Sequence, residues 1–410
     1  MAGGRFRSRF APLGNSRFRL LFLAAFGSGF GNWLAVIALQ VDIFDRTHSG
    51  WWVGDLLIAN ILPAVFIGLL LGPLVDRLSR KGLMIGSDLV RLAVFAALPF
   101  ADSAAWIIVL AVVAGIGNGF FRPAVLAGLP NLVGETELPA ANALLQIVES
   151  GVTAAGPLAG GVIVAASGPH LAYWVNAATF ALSAALVAAI PARLLQSDRP
   201  IGRGRWSDLA EGFKLVRGSP ALMCVLVVWS IVMLASGAVN LAEVFLARQT
   251  FHAGDFGFGL LWAGSGVGLI AGGLAAPSLI ERALGPSYVR FLAVFAVGAG
   301  CAAAAPNVWV GAAAMILLGF GNAGAVVANI TLVQRGASDQ VRGRAFTVLM
   351  SANYTALGIA FVLAGPFTNA FGARWAFGVA TGAVALAAAV ASRFVRRIEP
   401  AVQRSTLHHV

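Results

Sequence analysis

Long apolar segments alternate with short polar ones along almost the whole chain. Several of the apolar segments reach about 18 residues or more, the length that a helix needs to cross the hydrocarbon core of a bilayer. The pattern predicts helices at about residues 18–41, 53–75, 82–101, 105–128, 140–166, 170–191, 220–246, 257–280, 287–305, 309–333, 344–370 and 374–394. The predicted fold class is therefore an all-α integral membrane protein with twelve transmembrane helices.

The longest polar interruption lies near the middle of the chain, at residues 192–219, and separates six predicted helices from six others. Its last part, 206–216, has the apolar spacing of a short interfacial helix. The predicted domains are a basic cytoplasmic N-terminus (1–17), a six-helix bundle (18–191), a cytoplasmic linker (192–219), a second six-helix bundle (220–394) and a cytoplasmic tail (395–410).

Part of the sequence repeats at an offset of 204 residues, which is about half of the chain. The segment GIGN at 115–118 recurs as GFGN at 319–322. The same offset relates Gly161 to Gly365, Gly168 to Gly372 and Pro73 to Pro277. Together with the central linker, these matches predict two pseudo-symmetric bundles, and transporters built from parallel repeats bind substrate at the repeat interface.

Composition narrows the function classes. The chain is 59% hydrophobic and 11% charged, too apolar for a soluble domain. The net charge of +11 does not indicate nucleic-acid binding, because most basic residues fall between apolar segments. Cys224 and Cys301 lie within apolar segments, and no metal spacing, cofactor motif or phosphate-binding loop is present. No nucleophile–base arrangement is visible, so we do not expect an enzyme.

The distribution of Lys and Arg predicts the orientation in the membrane. With a cytoplasmic N-terminus, only Arg46, Arg248 and Arg374 face the outside. The inside then holds the basic N-terminus, the 72–82 loop with Arg91, Arg122, the linker, Arg282, Arg290, Arg335, Arg342, Arg344 and the C-terminal arginines. Both termini are predicted to be cytoplasmic, and the acids Asp42, Asp45, Asp55 and Asp102 are predicted to be solvated at the outer ends of helices.

The densest charge cluster follows the second predicted helix, in the segment GPLVDRLSRK at 72–81. A cytoplasmic loop explains its basic residues, but Asp76 comes directly after an apolar run and needs a partner there. The segment matches the G-x-L-x-D-R-x-x-R-K motif and so resembles the major facilitator superfamily. The resemblance implies alternating-access transport and a cytoplasmic latch formed by Gly72, Asp76, Arg77, Arg80, Lys81 and Arg122.

A second motif, GPLAGG at 156–161, resembles the G-P-x-x-G-G signature of the superfamily's exporters. Small residues allow close helix packing, which is also an ordinary structural role for Gly156, Pro157, Gly160 and Gly161. The segments FRPA (121–124), LPNLV (129–133), ANAL (141–144) and VRGRAF (341–346) are similar to the macrolide-efflux and siderophore-exporter branch of drug:proton antiporters.

Carboxylates inside predicted spans are the first candidates for proton coupling. Glu149 lies about nine residues into the fifth predicted helix and shares a helical face with Asn142 and Gln146. Its alternatives are a hydrogen bond within the bundle or a place in the wall of a substrate cavity. Glu243 is the second proton candidate. Further candidates for the substrate cavity are Asn32, Asn240, Asn329, Asn353 and Tyr354.

The predicted function is export of amphipathic, drug-like or siderophore-like molecules in exchange for protons, from the inner membrane of a bacterium. The predicted partners are a small-molecule substrate, protons and the lipid bilayer, with no nucleic acid and no cofactor. A monomer suffices for this architecture. The alternatives are a lysophospholipid flippase, a small-molecule importer, or a membrane sensor that does not transport.

Overall fold

The structure is a computed structural model that describes residues 11–70, 78–134, 137–195, 213–336 and 339–407. The described residues form twelve long α-helices and contain no strand. In chain order the helices are α1 (Ser16–Thr47), α2 (Gly50–Leu70), α3 (Arg80–Ala97), α4 (Ala104–Val133), α5 (Leu138–Ser167), α6 (Pro169–Ala188), α7 (Pro220–Phe245), α8 (Gly254–Arg282), α9 (Leu284–Ala304), α10 (Val308–Gly336), α11 (Asp339–Phe371) and α12 (Ala373–Leu407).

Eleven of the helices in the described residues are long and apolar enough to cross a membrane. The remaining one, α2, carries Asp55 as the single charged side chain among its 21 residues. Large apolar side chains point outward from several helices; Leu274 is 79% exposed and Trp309 is 65% exposed. Apolar residues can cover the outer surface only where lipid replaces water, so the helices and their exposed faces belong to one membrane-embedded fold.

Several helix ends differ from the prediction. The helix α4 continues to Val133, five residues beyond its predicted end near residue 128. The helix α12 continues to Leu407, well beyond its predicted end near residue 394. The predicted interfacial helix at 206–216 lies mostly outside the described residues, although residues 213–218 are helical. Apolarity marks the part of a helix that meets lipid, but backbone hydrogen bonds carry the helix past that boundary.

The helices group into two units by their contacts. The first unit lies within residues 1–48 and 55–203, and the second within residues 49–54 and 204–410. In the first unit, α1 packs against α5 and α6, and α3 packs against α4 and α6. In the second unit, α7 packs against α11 and α12, while α10 packs against α8 and α9.

The repeated glycines occupy equivalent packing positions in the two units. Gly115 of α4 lies against the backbone of α2, and Gly319 of α10 lies against the backbone of α8. Gly117 and Gly321 lie two residues later and face α3 and α9, respectively. A side chain at any of the four positions would collide with the neighbouring helix or require it to shift. The sequence repeat is therefore a repeat of close helix packing.

The turns that follow α5 and α11 are also equivalent. Gly168 has φ 75° and Gly372 has φ 85°, in the region that favours glycine. Each glycine donates its N–H to a carbonyl oxygen four residues earlier, at 2.8 Å, on Val164 and Thr368 respectively. Both turns start a new helix at once, so the 204-residue offset also marks an identical chain reversal.

Candidate functional site

The first unit carries an ion pair between two otherwise uncharged helices. Arg122 is the single charged residue in α4, and Glu149 is the single charged residue in α5. The two side chains meet in a two-pronged pair, with Nη1–Oε1 at 2.9 Å and a hydrogen bond from Nη2 to Oε2 of 3.0 Å. A guanidinium and a carboxylate match best in this geometry, so the pairing is specific.

This pair lies deep within both helices and yet is open on one side. Arg122 precedes the end of α4 by eleven residues, and Glu149 follows the start of α5 by eleven residues, about 16 Å in each case. The Arg122 side chain is 67% exposed and the Glu149 side chain is 43% exposed. Because exposure of charges to hydrocarbon is costly, a position of this face against lipid acyl chains is disfavoured.

Polar side chains of the same unit surround the pair unevenly. Asn118 precedes Arg122 by one helical turn and is exposed, and Asn142 precedes Glu149 by two turns and is exposed. Asn32 on α1 is half-buried. The side chain of Gln146, a predicted neighbour of Glu149, lies outside the described residues. The open face therefore combines two charges with exposed amides.

A second charged cluster is enclosed within the first unit. Asp88 and Arg91 of α3 form an ion pair with Nη2–Oδ1 at 2.6 Å, and their side chains are 0% and 1% exposed. Ser183 of α6 donates a 2.7 Å hydrogen bond to the second carboxylate oxygen, and Arg91 donates one of 3.3 Å to Ser28 of α1. The placement of Arg91 among the cytoplasmic basic residues is therefore wrong, because it lies inside the bundle.

Two aromatic rings and a glycine complete the surroundings of Arg91. Its guanidinium carbon lies 4.3 Å from the ring centre of Phe180 and 4.7 Å from that of Phe121. Both distances suit a cation–π contact in a desolvated place. A Cβ on Gly117 would lie 3.0 Å from the Cγ of Arg91, so this glycine makes room for the arginine.

A third ion pair lies near the C-terminal end of α1. Arg46 contacts Asp42 at 2.6 Å between Nε and Oδ1, and Tyr173 of α6 donates a 2.9 Å hydrogen bond to Oδ2 of Asp42. Asp42 is only 5% exposed, so the prediction of a solvated acid at this position is wrong. Asp45 and Asp102 are exposed, as predicted. Burial was misjudged because α1 continues to Thr47 and keeps Asp42 within its packed length.

In the second unit, the main ionisable candidate is Glu243 on α7. It is 2% exposed, and its Oε2 has no hydrogen-bond partner among the described residues. No cation of the described residues lies within ion-pair distance of its carboxylate. Glu243 differs in this respect from the buried acids of the first unit, Asp42 and Asp88, which both have an arginine partner.

The amide candidates of the second unit occupy different environments. Asn353 is 3% exposed, and neither its Oδ1 nor its Nδ2 has a partner within the described chain. Asn329 is also buried and accepts a long hydrogen bond of 3.5 Å from Tyr288. Asn240 is half-buried and Tyr354 is exposed. Buried amides without partners are available to a ligand, which makes Asn353 the strongest of these candidates.

Only part of the predicted latch is described. Gly72, Asp76 and Arg77 lie outside the described residues. Arg80 is buried and donates a 3.0 Å hydrogen bond to the carbonyl of Leu195, while Lys81 donates one of 2.6 Å to the carbonyl of Ala188, the last residue of α6. Cations are favoured at a helix C-terminus, so Lys81 holds α3 against the end of α6, while Arg80 contacts the chain beyond that end.

The predicted packing motif lies at the contact between α5 and α1. A Cβ on Gly156 would lie 2.6 Å from the Cβ of Trp33, and one on Gly160 would lie 2.7 Å from a carbonyl oxygen of α1. Pro157 and Gly161 are buried. The absence of side chains at Gly156 and Gly160 thus allows α5 to approach α1 closely.

Two features of the site were missed in the sequence. Asp88 and Arg91 are spaced three residues apart in an apolar helix, which is the spacing of an intrahelical ion pair and could have been recognised. The pairing of Arg122 with Glu149 had no such signal, because the two residues are 27 positions apart on different helices. Among the described residues, no three His, Cys, Asp or Glu side chains come together as a metal site.

The fold and the charged residues within its helices define a multi-pass membrane transporter of the major facilitator fold, not an enzyme. The chain belongs to the family described as Transmembrane secretion effector, whose profile matches residues 7–409. The resemblance to this superfamily and the predicted all-α fold of two six-helix bundles are therefore confirmed.

Curated relatives include known exporters. The enterobactin exporter EntS of Salmonella typhimurium (strain LT2) is 28% identical over 362 residues, which cover 85% of this chain and 84% of that protein. The MFS-type transporter YfiS of Bacillus subtilis (strain 168), which is described as uncharacterised, is 26% identical over 247 residues, 59% of each chain.

Solved structures confirm the fold alone. A mutant of the nucleoside transporter NupG superimposes with a TM-score of 0.74 at 14% identity and covers 93% of this chain and 100% of that one. A bacterial homologue of the iron transporter ferroportin, in the inward-facing state, gives a TM-score of 0.74 at 16% identity, with 92% and 98% covered.

Proposed function

We propose that this protein is a secondary active exporter of amphipathic small molecules in the bacterial inner membrane, with both termini in the cytoplasm. It works by alternating access and is driven by the entry of protons. The similarity to enterobactin exporters over 85% of the chain supports the direction of transport and the class of cargo. The placement of Lys and Arg supports the orientation.

The burial of Glu243 without a partner is the observation that supports coupling to protons. A carboxylate without a hydrogen-bonded or charged partner is costly in an apolar interior, whereas a neutral carboxyl group is tolerated far better. Glu243 is enclosed in this way, with an unpartnered Oε2. It therefore takes up a proton before it is enclosed, and it releases the proton when the transport cycle brings water to it.

Glu149, the first candidate from the sequence, is less suited to this role. Its charge is already compensated by Arg122 through two short contacts. The carboxylate of Glu149 thus has a fixed counter-charge, whereas that of Glu243 has none among the described residues. We therefore assign proton coupling to Glu243 and place the Arg122–Glu149 pair in the path of the cargo.

The test follows dye uptake into inverted membrane vesicles, in which export appears as uptake. Ethidium serves as a cationic probe and carboxyfluorescein as an anionic one, each with and without a protonophore. We expect protonophore-sensitive uptake of at least one dye by the unmodified protein. Glu243→Gln should reduce the protonophore-sensitive rate at least about tenfold, because an amide cannot carry the proton.

Glu281→Gln is the matched control, because Glu281 is an exposed carboxylate near the end of α8 in the same unit. This variant should retain the rate of the unmodified protein. Uptake that survives in Glu243→Gln and still collapses with the protonophore would remove Glu243 from the coupling. Uptake that ignores the protonophore would contradict proton drive altogether.

A further inference from the structure

The open face of the first unit has a defined order of side chains along α4. Asn118, Arg122 and Leu126 follow one another at intervals of four residues, and all three are exposed. Residues four apart lie on one face of a helix, so a polar, a charged and an apolar group form a single stripe. Glu149 of α5 contacts the middle member of this stripe.

We propose that Arg122 binds the anionic group of the cargo, and that Glu149 occupies the guanidinium as an internal placeholder until the cargo replaces it. This inference deepens the proposed export function and rests on it, since it assumes that cargo reaches this face. The cargo class is an amphipathic molecule whose anion presents two adjacent oxygens, as a carboxylate does.

The geometry favours an anion over a cation as the guest. The guanidinium remains charged under all conditions in a protein, and it offers five N–H donors, of which the Glu149 contacts use two. The arginine is also the more open partner, with 67% of its side chain exposed against 43% for the glutamate. An incoming anion can therefore engage the free donors first and displace the carboxylate afterwards.

The rest of the stripe suits the remainder of such a molecule. Leu126 is 50% exposed and offers an apolar surface one turn beyond the arginine, while the exposed Asn118 offers an amide on the other side. Neither α4 nor α5 contains a second charge that could hold a cationic group. An apolar body with one anionic end fits this stripe, and a cationic end finds only a carboxylate that is already paired.

The experiment measures equilibrium binding to the full chain in nanodiscs of zwitterionic lipid, with empty nanodiscs as the background. The probes share one apolar body and differ in charge: 2-naphthoate, 2-naphthylmethanol and 2-naphthylmethylammonium. We expect naphthoate to bind about 10- to 100-fold more tightly than the neutral alcohol, as for a charge-assisted pair with Arg. Glu149→Gln should tighten naphthoate binding further, because the placeholder is gone.

Arg122→Gln should reduce naphthoate binding to the level of the alcohol. The double variant Arg122→Gln/Glu149→Gln leaves no unpaired charge, so it tests whether the single variant loses binding through misfolding. It should also lose the preference for the anion. Arg19→Gln is the control, because it removes an exposed guanidinium near the start of α1 in the same unit and should leave the preference intact.

Weaker naphthoate binding in Glu149→Gln, or an anion preference that survives in the double variant, would overturn the assignment. Tighter binding of the ammonium probe than of naphthoate would overturn it as well. In these cases dye uptake in inverted vesicles still decides the proposed export function separately. If the unmodified protein shows no protonophore-sensitive uptake, the proposed export function itself is wrong.

Discussion

The two units of this transporter share their packing but differ in whether their most enclosed acids have a counter-charge. In the first unit, the membrane helices hold three carboxylate–arginine pairs: Asp88 with Arg91, Asp42 with Arg46 and Glu149 with Arg122. In the second unit, Glu243 is enclosed without a cation among the described residues. The second unit also contains an ion pair, between Arg248 and Asp255 at 3.3 Å, but its most enclosed acid, Glu243, has no such partner.

This difference separates ion pairs that stabilise the fold from an acid that can gain and lose a proton. A buried ion pair stays intact because removing either partner leaves an isolated charge at high cost. An enclosed acid without a counter-charge can gain and lose a proton when its access to water changes. In the proposed function, the first unit supplies architecture and cargo contacts, and the second unit supplies proton exchange.

The largest effect on stability is expected when the buried Asp88–Arg91 pair of the first unit is broken. Arg91→Gln leaves Asp88 enclosed without its counter-charge and should lower the stability by about 3–5 kcal/mol. The measurement is the midpoint of thermal unfolding of the purified protein in detergent. The double variant Asp88→Asn/Arg91→Gln should recover part of the loss, and Glu243→Gln should cause no comparable loss. An unchanged midpoint in Arg91→Gln would show that the buried pair contributes little.

A smaller effect should distinguish the equivalent glycines of the two units. The Cβ in Gly321→Ala would overlap the backbone of α9, whereas the Cβ in Gly117→Ala would lie 3.0 Å from its nearest obstacle, the Cγ of Arg91. We expect Gly321→Ala to cost about 1–3 kcal/mol and Gly117→Ala to cost less. Gly273→Ala is the control, because no atom lies within 4 Å of its added Cβ. Equal losses of stability in Gly321→Ala and Gly117→Ala would contradict this explanation.

The smallest effect on stability is expected at the exposed pair. Glu149→Gln should change the free energy of unfolding by only about 0–1 kcal/mol, because water screens Arg122 once its partner is lost. Thermal unfolding of the same preparations provides the measurement. A loss as large as that of Arg91→Gln would mean that the pair is enclosed in the functional protein and does not face an open path.

Sequence patterns were most reliable for features that depend on neighbours along the chain. The apolar segments predicted the helices because each span must satisfy its own backbone hydrogen bonds in lipid. The 204-residue offset pointed to the two halves because the same close approach recurs at Gly115 and Gly319. The chemical character of GPLVDRLSRK and GPLAGG was sufficient to indicate the superfamily.

Only the tertiary structure decided which charges of different helices meet. The sequence gives no distance between Arg122 and Glu149, because their contact depends on how α4 and α5 pack side by side. Arg91 and Asp42 pair with residues of their own helices, but they were misread as residues near the membrane surface because their burial depends on other helices. Helix formation is a local property, whereas burial and pairing depend on neighbours that are distant in the chain.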